Sequence, residues 1–162
     1  MATNFLWAPG TSNNGLLTSA FNLMTTEMNS LASNGTATSS VGGSSGLFTN
    51  SNTAQGILSE LFLTLGAIGT AVVAGGGVAG WFLVTPDGST FENTVSGNAL
   101  ARPADFFIPL PQTTITAGWV YKSAGAVILP TLKFKVFVQN VSGQAMAATG
   151  NTIVAAPYAV QY

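Results

Sequence analysis

The chain has 162 residues, no cysteine and no histidine, and only 6% of it is Asp, Glu, Lys or Arg. Disulfides, thiolate metal sites and histidine-based catalysis or metal binding are therefore excluded. Four basic residues against five acidic ones leave a net charge of -1, which rules out the clustered Lys and Arg that nucleic-acid backbones require.

The length suits one domain that buries a core without staples. A surface so poor in charge is embedded in a membrane, covered by other protein, or built from neutral polar groups. Ser, Thr, Asn and Gly make up about 40% of the chain, above ordinary usage. Neutral hydrogen bonds of this kind respond less to salt than ion pairs do.

Residues 1 to 13 read as a polar arm anchored by Phe5, Leu6 and Trp7 and turned by Ala8-Pro9-Gly10. Such an arm either ties one subunit to its neighbour or frays, with Trp7 packed on its own domain. Met1 to Phe5 hold no basic residue and Pro9-Gly10 breaks any apolar run, so no secretory signal is expected. Over residues 14 to 33, Leu16, Leu17, Ala20, Phe21, Met24, Met28 and Leu31 recur at helical spacing. One short helix is predicted there, capped by Asn13 or Asn14 and stopped at Asn34-Gly35. Its Ser and Thr content lowers helix propensity, so it needs a partner surface to form. Residues 35 to 55 are a polar, Gly- and Ser-rich irregular segment with Val41, Leu47 and Phe48 as anchors.

From residue 56 the pattern is β. The expected organisation is therefore an arm, helix and irregular segment over 1–55 and a β-domain over 56–162. Strands are predicted at Ile57–Leu65, Gly80–Thr85, Asp105–Ile108, Thr113–Tyr121, Ala126–Leu129, Leu132–Asn140 and Ile153–Tyr158. Prolines punctuate their ends. Phe134, Val136 and Val138 alternate with Lys133, Lys135 and Phe137, which sets one face toward a core. Ser142-Gly143 reads as a hairpin turn into Gln144–Ala148. Short strands at this spacing predict a mainly β fold, a jelly-roll-like β-sandwich or small barrel.

Leu61 to Thr85 carry no charge and are long enough to cross a bilayer as a helix. Gly75-Gly76-Gly77 lies inside this run and no Lys or Arg flanks it, so two buried strands joined by a small-residue loop are expected ahead of a membrane span. The membrane span stays as an alternative.

No catalytic, cofactor-binding or metal-binding residues are expected. Glu27, Glu60, Asp87, Glu92 and Asp105 are scattered. A glycosidase-like pair of Glu92 and Asp105 would need a pocket that the composition does not announce. Gly75-Gly76-Gly77 lacks the Lys-Ser/Thr of a phosphate loop. Asp87-Gly88 is a turn, because no alternating acids follow it. Arg102 and Asp105, around Pro103, are expected to pair with each other, or Arg102 with Glu92. Lys133 and Lys135 are expected to deter edge association. The aromatics Trp7, Trp81, Trp119, Tyr121, Tyr158 and Tyr162 read as core packing ahead of a sugar platform.

Thr26-Glu27-Met28-Asn29-Ser30-Leu31-Ala32-Ser33-Asn34-Gly35, Ala101-Arg102-Pro103-Ala104-Asp105-Phe106-Phe107-Ile108-Pro109-Leu110 and Phe134-Lys135-Val136-Phe137-Val138-Gln139-Asn140 together resemble small structural proteins of tailed-phage virions. Ala104 stands where that family's turn has a second proline. The resemblance implies a virion component without selecting one; within that class the low charge and long polar arms fit a capsid decoration (cement) protein best, on the outer surface of the virion and assembled in the host cytoplasm. Its implied partners are the major capsid protein and further copies of itself, as a dimer or trimer. Phe5, Leu6, Trp7, Arg102 and Asp105 are the candidate contact residues. Another virion part, from the tail, neck or fibre, is the alternative within the same class.

Overall fold

The computed structural model describes residues 6–9, 20–40, 46–49, 57–92, 94 and 98–161. Ten strands follow in chain order: β1 (Leu6–Pro9), β2 (Phe21–Met24), β3 (Thr36–Thr38), β4 (Ile57–Thr64), β5 (Gly77–Thr85), β6 (Phe106–Pro109), β7 (Val120–Lys122), β8 (Val127–Leu129), β9 (Lys133–Asn140) and β10 (Thr152–Gln161). They form two antiparallel sheets. In the six-stranded sheet β10 lies between β4 and the β1 and β2 strands, and β4 carries β7 and β8 on its other edge. The four-stranded sheet has the order β3-β9-β5-β6.

The pairs are nested: β2 with β10, β3 with β9, β4 with β7 and β8, and β5 with β6. Two cross-pairs, β10 with β4 and β9 with β5, hold this roll closed. That is the jelly-roll arrangement, two Greek keys wound into a sandwich. The connection from β4 to β5 passes from one sheet to the other, so the uncharged run 61–85 is two strands on opposite layers. Among the described residues no helix is long and apolar enough to cross a membrane.

Alternation builds the core between the layers. Ser59, Leu61 and Leu63 of β4 face inward, as do Val78, Phe82, Phe134, Val136 and Val138 of the facing sheet. Phe82 and Phe134 meet edge to face at 5.4 Å, and Phe134 stacks on Phe48 at 5.4 Å. The glycine run is local geometry: Gly75 has φ +70, a value that favours glycine, and turns the chain into β5. At Gly80 a Cβ would lie 2.0 Å from the Phe106 ring, which covers the backbone there.

The helix expected over 14–33 is not formed in its described part; residues 14–19 lie outside the described residues. Phe21–Met24 instead pairs with the free edge of β10 and residues 26–30 turn. A Ser- and Thr-rich segment gains little from helix formation, and the open edge of β10 offers backbone partners that outweigh it. Leu23, Met24 and Met28 are fully buried all the same, so the apolar spacing marked core residues on a strand and a turn. The residues before 56 thus give β2 to one sheet and β3 to the other.

Gln144–Ala148 is not a strand, and β9 does not enter a hairpin. The chain crosses to the other sheet after Asn140, and buried amides hold the crossing. Asn140 Nδ2 donates to the carbonyls of Leu31 (3.0 Å) and Gln144 (2.7 Å), while its Oδ1 accepts from Ser142 Oγ (2.6 Å). Asn151 donates to Ala147 O at 2.7 Å and accepts from Gly66 N at 3.1 Å. The predicted strand Thr113–Tyr121 shrinks to an isolated bridge at Ile115 and the short β7.

Candidate interaction surface

Among the described residues no three His, Cys, Asp or Glu side chains are grouped to hold a metal ion. Glu92 and Asp105 do come together, on the guanidinium of Arg102. Arg102 Nε meets Glu92 Oε2 at 3.1 Å and its Nη1 meets Asp105 Oδ1 at 2.8 Å. Desolvation lowers the Arg102 pKa, but the two carboxylates outweigh it and hold the guanidinium above its ordinary range.

This cluster finishes the edge of β5. The β6 strand covers β5 only as far as Gly80. Beyond it, Asp105 Oδ2 accepts from the Phe82 amide at 2.7 Å, and Arg102 Nη2 donates to the Phe82 carbonyl at 3.0 Å. The two side chains thus replace one residue of a missing neighbouring strand. Trp81 Nε1 donates to Arg102 O at 3.1 Å from the outer face of the same sheet.

The outer face of the four-stranded sheet is covered by the chain itself. Trp81, Leu83 and Phe137 form a second apolar cluster there, with Phe91 and Leu100 from the β5–β6 connection packed on it. Lys135 Nζ sits 4.7 Å from the centroid of the Phe91 ring. β9 lies between β3 and β5, so Lys133 and Lys135 are not edge residues. Their strand is interior, and Lys135 secures the cover instead of repelling a neighbour.

The outer face of the six-stranded sheet is different. Register places Leu58, Glu60, Phe62 and Thr64 of β4 beside Thr152, Val154 and Ala156 of β10 and beside Val120, Lys122 and Ile128 of β7 and β8. Val120 is 59% exposed and Ile128 67% exposed. The charges among these residues, Lys122 and Glu60, lie 3.4 Å apart. The result is a broad, apolar and nearly neutral β-face. Exposed apolar patches of this kind mark interaction surfaces.

Of the residues singled out from the sequence, Leu6 and Trp7 lie on β1, which runs antiparallel to the end of β10; Phe5 lies outside the described residues. Arg102 and Asp105 are brought together, each about a third exposed. Trp81 is core, Trp119 is half-exposed, and the Tyr121 hydroxyl is buried without a partner. Sequence reading missed Glu27, whose carboxylate accepts from the amides of Thr25 and Thr26 and from Ser40 Oγ. Burial works to raise its pKa, but the bonds from Ser40, Thr25 and its own turn bring it down to about 2. It also missed the outer-face patch, because alternating Leu58, Phe62 and Val154 look like core residues until the sheet order is known. No protein-family model, curated protein or solved structure matches the chain.

Proposed function

We propose that the chain is a structural virion protein that binds the outside of a tailed-phage capsid and stabilises it by bridging capsid subunits. The apolar, charge-neutral outer face of the six-stranded sheet carries the reading. A face of this kind meets a neutral partner surface with little desolvation of charge. A stable one-to-one complex needs roughly 800 Å² per partner. A smaller contact suffices when many copies act on one closed shell, because multivalency sums modest affinities. Jelly rolls recur in viral shell and lectin domains, so the topology agrees with the reading without selecting it.

The test is co-sedimentation of the purified chain with emptied tailed-phage shells, read with and without Val120→Lys plus Val154→Lys. Both substitutions charge the outer face and leave the core untouched. The wild-type chain is expected to pellet with shells and the double variant to stay in solution. Failure of the folded wild-type chain to bind, or equal binding by the double variant, counts against the proposal.

A further inference from the structure

Among the described residues the sandwich is open between β5 and β8. An outward-facing groove of about 490 Å³ lies there, with Phe82 and Val84 on one wall, Val127 and Ile128 on the other, and Arg102 and Asp105 among its lining residues. We infer that this mouth is a strand-acceptor site, which takes an extended, uncharged peptide segment of a partner protein as an added β-strand. The inference stands independently of the capsid reading.

Backbone parity carries it. On one wall, Gly80 O accepts from Asp105 N at 2.8 Å, and both backbone groups of Phe82 are used by Asp105 and Arg102. Gly80, Phe82 and Val84 therefore point away from β9, and Trp81, Leu83 and Thr85 point toward it. Val84 is the next residue on that open side, and among the described residues no group bonds its N–H or C=O there. On the other wall, Leu61 O accepts from Ser123 N and Leu65 O from Gly118 N. Odd-numbered β4 residues thus face β7 and β8. Val127 and Leu129, opposite Ser59 and Ile57, bond to β4. Ile128 is left with its N–H and C=O turned outward.

Among the described residues these edges are protected only up to the groove. Arg102 and Asp105 occupy the β5 edge as far as Phe82 and no further. On the opposite wall, Ser123–Ala126 interrupts the line from β7 to β8, and Ala124 N bonds to Phe107 O at 2.9 Å, stitching the two sheets together. Unprotected edges are rare in monomers because they recruit other strands. Here two of them line one groove, and each offers one donor and one acceptor.

That pattern matches a main chain and little else. The polar side chains of the groove, Arg102 and Asp105, are already bonded to each other and to β5. A sugar or nucleotide would find few free directional groups. An extended segment would place alternate side chains against Phe82, Val84 and Val127 and the others in solvent. The recognised chemistry is therefore an uncharged segment with apolar residues at every second position.

The experiment pans a yeast-displayed library of short random peptides against the purified chain. Enriched peptides should show alternate apolar residues and should slow hydrogen exchange at the Val84 and Ile128 amides of the wild-type chain. Val84→Pro and Ile128→Pro remove an outward N–H without touching the bonds to β9 or β4, and each should weaken those peptides about tenfold or more. Val84→Thr and Ile128→Thr keep the N–H and should bind normally. Because exchange is read on the wild-type chain, a proline variant that misfolds does not remove the test. Lack of enrichment over an unrelated protein, binding indifferent to the proline variants that fold, or full protection of both amides in the free chain would each overturn the inference.

Discussion

The two outer faces of this sandwich begin from similar sequence and end in opposite states. Trp81, Leu83 and Phe137 on the four-stranded sheet are as apolar as Phe62, Val120 and Val154 on the six-stranded one. The first set is buried because the long β5–β6 connection returns over it and is latched by Arg102. The second set includes Val120 at 59% exposure. Among the described residues one apolar face is covered by a connection of the chain and the other is not, and an apolar face without such a cover is the kind that interaction surfaces use.

The largest effect should come from breaking the covered face. Trp81→Ala removes the centre of the second cluster and should cost about 3–5 kcal/mol, read as a lower urea midpoint. Opening the latch comes next. Arg102→Met leaves the Phe82 carbonyl and Asp105 without their partner and should cost about 2 kcal/mol, with the fluorescence of Trp81 shifting to the red as its cover loosens. If Arg102→Met is silent, the cover is held by packing and by the bond from Trp81 Nε1 to the Arg102 main-chain carbonyl.

A smaller change tests a region on neither outer face. The Glu27 carboxyl titrates near 2 in the folded chain, against an ordinary value of 4.5. Its stabilisation is full above the unfolded value and fades as pH falls from there through the folded value. Glu27→Gln should lower stability at neutral pH by about 1 kcal/mol after solvent screening and flatten the acid dependence in that window, measured by melting temperature against pH. In the open sheet, Ser59 Oγ is buried without a partner, so Ser59→Ala should raise stability by about 1 kcal/mol. The least effect on stability belongs to Val120→Lys, below about 0.5 kcal/mol. A large loss there would mean that the open face is not open, and would erase the contrast between the two faces.

Strand content was readable from the letters because alternation is local. Leu132–Asn140 was legible as a strand with Phe134, Val136 and Val138 on one face, and these are core residues. The pairing of Arg102 with Glu92 or Asp105 was legible because charges are scarce; that one guanidinium takes both was not. Phe21–Met24 was misread because its spacing suits a helix, while the competing partner, the edge of β10, lies far away in sequence. The same distance hid the roles of Asn140 and Asn151, whose acceptors sit on other loops.

Composition and periodicity determined that this chain is a charge-poor β protein with a core of alternating residues, because each strand needs only its own side chains to declare two faces. The tertiary structure decided, among the described residues, which apolar face is covered, where the sandwich stays open and which way each strand edge turns its backbone groups. Those outcomes depend on strands that meet across the roll from distant parts of the chain, and period-two alternation is blind to what will stand opposite.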